Sequence, residues 1–384
     1  MQHVARWTMI GLMILVPFAS RGGAEHGWPV ENVNADHPLG NTLGEFVANQ
    51  SPSTTNVPAP YRHEGIDILV EPYSEESGPE DSAPYAVVTV RGTVVRVDMV
   101  ENSQDNYIRI RGAVDNLIYL YHHLEYASLS WPLEEHFNET PAVEPGEDPV
   151  TDPSNWPLMK EGDRIAKIRN AFACDYDHLH YEVQRREGNG DITMINPLTH
   201  ILPMPDVDKP DVVGIHLAKR AEERWSEIVL DDTPGACTIV NGELDVIAQV
   251  RDRDAAGSDL AGARNVGVYN LQWRACKASS PNCQWKTTQL LDEMPGKWTN
   301  SDNKFAQVHF STTTPWQTTP EPWLSEAQNC PTNANNKTFM VLTTEASWDT
   351  LDDRFPNGKY ILSVKAGDFA GLEDTESISV CVQN

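Results

Sequence analysis

Three histidine-bearing fragments follow one another along the chain: His63-Glu64-Gly65-Ile66-Asp67, Tyr121-His122-His123-Leu124 and His178-Leu179-His180-Tyr181-Glu182. Imidazole nitrogen and carboxylate oxygen are donors that Zn2+ takes in a tetrahedral shell, and a hydrolytic site uses three of them and leaves the fourth position to water. More donors are present than one ion needs. That surplus suits catalysis, because an imidazole that holds no metal can carry a proton.

The spacing works on strands. Side chains of a strand alternate between faces, so His63, Gly65 and Asp67 point one way while Ile66 and Ile68 point into a core, with Gly65 leaving a gap between two ligands. A helix would also bring positions four apart together, but the central glycine and the run Ile66, Ile68, Val70 favour a strand. The same alternation puts His178, His180 and Glu182 on the wet face of their strand and Leu179, Tyr181 and Val183 on the buried one. Two imidazoles two residues apart are separated by roughly 6.5 Å of strand rise, so one can bind metal while the other faces a substrate.

The order His-x-x-x-Asp, Tyr-x-His-Leu, His-Leu-His-Tyr-Glu resembles the lysostaphin/LytM-type zinc endopeptidases, which cut peptide bonds in bacterial peptidoglycan and have the duplicated hybrid motif fold. The resemblance runs over about residues 28 to 204. Tyr85 to Val88 and Gly92 to Val95 look like that family's strand pair after the first ligands, Lys160 to Ala166 like its turn before the last ligand strand, and Asn196-Pro197-Leu198 like its exit from the domain. By position, the resemblance implies Zn2+ on His63, Asp67 and His180, with His123 and His178 as the catalytic pair. The chain departs from the pattern in three places. Arg169 to Asp175 stands where the family has a Gly-x-Ser/Thr-Gly turn, a longer link joins Val70 to Tyr85, and an insertion fills about residues 131–156.

Strand parity lets only one of His122 and His123 face the metal, and the Tyr-x-His-Leu register selects His123. Glu182 reads as a structural residue that orients a neighbour, or as a solvated strand residue. His3, His26, His37, His136, His200, His216 and His309 read as ordinary surface or core residues.

Arg6 followed by the apolar run Trp7 to Ala19 is too short to span a bilayer and reads as a secretory signal, residues 1–24, with a cut after Ala24 and Gly22 at the small-residue position. The expectation is an exported chain, periplasmic or secreted, with no membrane insertion after signal removal. A net charge of −27 and a pI near 4.7 argue against nucleic acid as a partner, because phosphate binding needs a basic surface. Glu134, Glu135, Glu139, Glu144, Glu147, Asp148 and the prolines among them make the 131–156 insertion an acidic surface excursion.

The expected architecture is mainly β: an antiparallel peptidase domain over residues 25–204, a linker over 205–212 and an immunoglobulin-like β-sandwich over 213–384. Leu244 to Val250, Val266 to Trp273 and Lys359 to Val364 alternate with period two, and Glu376 to Val382 reads as a closing strand. Leu217 to Val229, carrying Trp225 and Ile228, reads as a helix. Cys276 and Cys283 flank a short tip and suit a disulfide, Cys237 can pair with Cys381 or Cys330, and Cys174 reads as a buried thiol or a cross-domain bridge.

These readings favour an exported zinc metalloendopeptidase acting on peptidoglycan or another peptide substrate. The alternatives are a non-catalytic relative that binds wall or regulates a hydrolase, and an exported peptidase of ordinary proteins. The sequence sets no oligomeric state.

Overall fold

The computed structural model describes residues 26–34, 37, 39–41, 43, 46–47, 61–70, 83–101, 103, 106–130, 133, 157–168, 178–201, 208–221, 224–231, 233, 236–253, 265–266, 268–295, 338–341 and 347–384. The expected signal, nearly all of the 131–156 insertion, Arg169 to Asp175 with Cys174, residues 205–207 of the expected linker, and Cys330, His3, His136 and His309 lie outside the described residues.

The described chain is mainly β, and the strands that carry the three fragments lie in one nine-stranded sheet. Its strands are β1 (Leu39–Asn41), β2 (Ile66–Leu69), β3 (Gly92–Asp98), β4 (Tyr107–Gly112), β5 (Ile118–His122), β6 (Leu158–Met159), β7 (His178–Arg186), β8 (Ile192–Ile195) and β9 (Glu293–Pro295). The spatial order is β1-β2-β7-β5-β4-β3-β6, with β8 on β7 and β9 on β8. Every pairing is antiparallel. The central strand, β7, holds β2 on one side and β5 on the other, which brings residues more than a hundred positions apart side by side.

One face of this sheet is the core. Ile66, Ile68, Leu179, Tyr181, Val183, Tyr119 and Tyr121 are all fully buried there, at alternate positions of β2, β7 and β5. The tyrosine hydroxyls in that core are satisfied. The backbone N–H of Thr89 donates to Tyr121 at 3.0 Å, and Thr89 Oγ1 lies 2.8 Å from the Tyr181 hydroxyl. A buried hydroxyl without a partner is costly, so this knot fixes β5 and β7 from beneath. The segments Tyr85–Val87 and Gly92–Asp98 are both strands, but they do not form a pair: the first joins Arg164–Lys167 in a separate sheet, and the second joins β4.

The second core lies between two sheets, one built on Asp211–Ala221 and Glu243–Arg253 and the other on Asn270–Lys277, Gly358–Gly367 and Glu373–Val382. Leu217, Val246 and Val250 on one side face Leu271, Trp273, Leu362, Val364 and Val380 on the other. The helix expected over Leu217 to Val229 is instead a hairpin, with Asp211–Ala221 paired to Arg224–Ile228. Lys219 to Arg224 are good helix formers, but the alternating buried positions Ile215 and Leu217 and the long pairing with Glu243–Arg253 override that local preference. Cys237 bonds Cys381 and Cys276 bonds Cys283, with Cα separations of 5.5 and 5.6 Å. Among the described residues, no helix is long and apolar enough to cross a membrane.

Candidate metal centre

The site lies on the face of the sheet opposite the tyrosines. Cross-strand register places Asp67, His180, His122 and Tyr107 in one row over β2, β7, β5 and β4. Asp67 Oδ1 is the point of convergence: His63 Nε2 lies 3.0 Å from it, His180 Nδ1 2.9 Å and His178 Nε2 3.8 Å. His63 and Asp67 are buried, 2% and 4% exposed. One donor atom from each of His63, Asp67 and His180 fits within 4.8 Å of the others. His123 joins from the side, its ring 4.7 Å from that of His178 and 6.1 Å from that of His180. All five residues singled out in the sequence are therefore brought together.

Close packing of strands makes this possible. A Cβ on Gly65 would fall inside the contact distance of the Tyr181 carbonyl oxygen and 2.9 Å from Glu182 Cγ. Glycine there does more than leave a gap between ligands: it lets the ligand-bearing segment lie against β7.

His122 and His123 both flank His180, with ring separations of 5.5 and 6.1 Å. The parity rule fails because His123 has φ of 63°, in the left-handed region, which turns its side chain back to the face that His122 already occupies. Asn106 holds that turn. Its Nδ2 donates to the Leu124 carbonyl at 3.0 Å, its Oδ1 accepts from Val100 N at 2.7 Å, and its own carbonyl accepts from Leu124 N.

Each candidate metal-binding imidazole is anchored by its far nitrogen. His63 Nδ1 is 2.9 Å from the Gly65 carbonyl, and His180 Nε2 is 2.9 Å from Glu182 Oε1. Glu182 is steadied in turn by Gln184, which donates to its Oε2 at 2.5 Å. Carbonyl and carboxylate can only accept, so neutral His63 and His180 must donate through those nitrogens and turn their other lone pairs toward Asp67. Two lone pairs and a carboxylate oxygen about 3 Å apart repel unless a cation lies among them. The donor set therefore fits a metal ion, for which the alternative is extra protons.

Where protons take the place of that cation, the charges of the cluster shift its groups strongly. Burial alone would raise Asp67, but the His63 and His178 charges and the hydrogen bonds from His180 and His63 hold it well below the usual carboxylate range. Burial would lower His180, yet its bonds to Asp67 and Glu182 outweigh that and lift it to about 10. Glu182, opposed by burial and favoured by the His180 bond, ends below its ordinary value. His122 is pushed down to about 4, chiefly by burial, and stays neutral.

Glu64, Tyr107 and Arg109 belong to this face and carry no motif of their own. Burial, then the Glu182 charge, raises Glu64 to about 7. Tyr107 stacks on His122 with centroids 4.9 Å apart and planes 9° from parallel.

Searches of protein-family models and of curated proteins give no match. Solved structures to which the chain is similar include a point mutant of the catalytic domain of the prophage-encoded M23 protein EnpA from Enterococcus faecalis, at 15% identity over 46% of this chain and 94% of that one, TM-score 0.25. The catalytic domain of the antimicrobial peptidase lysostaphin from Staphylococcus simulans matches at 14% identity over 42% of this chain and 90% of its own, TM-score 0.25. A zinc containing peptidase from Vibrio cholerae matches at 20% identity over 42% of this chain and 36% of its own, TM-score 0.24.

Proposed function

We propose that the chain is an exported zinc-dependent endopeptidase that hydrolyses peptide bonds of bacterial peptidoglycan. The observation that carries this reading is the convergence of His63, Asp67 and His180, with each imidazole held from behind and its remaining lone pair aimed at a shared point. Zn2+ bound there supplies a Lewis acid that polarises a carbonyl and acidifies water toward neutral pH. The residues His63, Asp67 and His180 hold the ion, and Glu182 and the Gly65 carbonyl fix the two rings so that little reorganisation is needed. His178 and His123, in edge contact beside the ligands, are the proton-handling pair: one imidazole accepts the proton of the attacking water and the other donates a hydrogen bond to the oxyanion that develops on the substrate.

The test measures zinc content together with new amino termini released from purified peptidoglycan, for the native chain and for His180→Ala, His178→Ala and His123→Ala. The expected result is about one zinc and steady release for the native chain, neither for His180→Ala, and zinc with a rate lower by about 100-fold or more for the other two. A native chain that binds zinc tightly and releases no termini would overturn the enzymatic reading.

A further inference from the structure

The row of rings on the wet face ends at a cation, Arg109, that has no ion pair among the described residues. Arg109 follows Tyr107 by two residues on β4 and so shares its face, with its guanidinium 5.2 Å from the Tyr107 ring centre. Tyr107 is stacked on His122, and His122 lies in edge contact with His180. Directly opposite Arg109 across the β3–β4 pairing is another arginine, Arg96. Like charges placed opposite one another destabilise a sheet. Arg96 is compensated by Asp98, 3.1 Å away. Among the described residues, Arg109 has no ion pair, and its Nε is buried without a hydrogen-bond partner. Glu64 acts on Arg109 electrostatically without reaching ion-pair distance. Arg111, two residues further along the same face, is exposed. Arg96, Arg109 and Arg111 thus lie on the adjacent strands β3 and β4 beside the candidate site.

We infer that Arg109, with Tyr107 and His122 lining the approach, is a subsite for a carboxylate of the bound peptide, making the chain selective for peptides that carry an acidic group near the bond to be cut. A guanidinium offers parallel donors that match a carboxylate, and a bound anion would give Arg109 the compensation that Asp98 gives Arg96. The inference rests on the peptidase reading for the word peptide, while its test does not require turnover.

The test is calorimetric titration of the zinc-loaded full chain with four probes: acetyl-triglycine as free acid and as amide, and acetyl-diglycyl-glutamate amide with its glutamine counterpart. The expected result is that the native chain binds one acid at least tenfold more tightly than its matched neutral probe. The pair that shows the difference tells a terminal carboxylate from a side-chain one. Arg109→Gln should bring that ratio close to one with the affinity for the neutral probe unchanged, and Arg109→Lys should keep part of it. Equal binding of acid and neutral probes by the native chain would overturn the inference. So would a preference that survives Arg109→Gln, since the carboxylate would then be bound to the metal, or a parallel loss of neutral-probe affinity, which would make Arg109 structural. Carboxylate selectivity without hydrolysis sinks only the peptidase reading, and hydrolysis without selectivity sinks only this one.

Discussion

His123 has a left-handed backbone conformation, and Asn106 ties down the next residue by both its N–H and its carbonyl. Asn106→Ala removes partners from the Leu124 carbonyl and the Val100 N–H at a buried position, and losing such bonds costs about 1–3 kcal/mol. With the clamp gone, His123 can relax toward ordinary strand geometry and swing off the face. The expected outcome is retained zinc with peptide release reduced at least tenfold, read by metal analysis beside the peptidoglycan assay. Full activity in a folded Asn106→Ala protein would show that the clamp does not position His123. Gly65→Ala should act on the ligands themselves. The added methyl meets the Tyr181 carbonyl and Glu182 Cγ, so the ligand segment must move off β7. We expect zinc content to fall sharply and stability to drop by about 1–3 kcal/mol, the usual range for an overpacked site, in thermal unfolding. At this scale the candidate site is readable because His63, Asp67, His178 and His180 obey strand alternation within short fragments. The second imidazole at His122 was not, because one positive φ breaks the alternation. Arg109 was invisible for another reason: its place beside the site comes from register across strands, which no local spacing encodes.

At the scale of elements, β7 was the easiest strand to read and the most consequential, since buried Leu179, Tyr181 and Val183 mark one face and the site fills the other. The hairpin of Asp211–Ala221 and Arg224–Ile228 is not legible locally, because Lys219 to Arg224 favour helix by composition and the partner strand lies well downstream. No local signal announced β9 either. This three-residue strand from the second half of the chain adds to β8, and Asn196 reinforces the junction by donating to the Leu291 carbonyl at 2.8 Å. Arg185 on β7 grips Glu293 on β9 through two parallel bonds of 2.7 Å. The Arg185 bond holds Glu293 below its ordinary carboxylate value. A carboxylate depressed in the folded state contributes its stability above its unfolded pKa, and the contribution fades as pH falls through the folded value. Both side chains are partly exposed, 40% and 46%, so solvent screening limits the pair to about 0.5 kcal/mol. Glu293→Gln should therefore lower the unfolding midpoint slightly at pH 7, and the difference from the native chain should shrink as the pH falls below the usual carboxylate range. A difference that persists undiminished in acid would mean that the glutamate contributes by packing and not by charge.

Considered whole, the described residues form two large apolar cores, one under the sheet of the candidate site and one between the two downstream sheets, with a smaller cluster of Leu43, Met194 and Met294 at β8 and β9. Each core has its own constraint. The ligands of the proposed metal tie β2 to β7 in the first, whereas the Cys237–Cys381 bond closes a sequence separation of 144 residues in the second. A ligand that binds only the folded state stabilises by mass action, about 2.7 kcal/mol at a hundred times its dissociation constant. A bond closing so long a loop contributes roughly 4–5 kcal/mol in the chain-entropy account. Heating should accordingly give two transitions that respond to different reagents. Chelation of zinc should lower the transition of the metal-site unit and leave the other in place, and Cys237→Ser with Cys381→Ser should do the reverse. Scanning calorimetry of both proteins with and without chelator reads all four combinations. If either change moves both transitions together, the β8–β9 seam couples the cores into one cooperative unit, and the downstream sheets then belong to the scaffold that holds the metal site in shape.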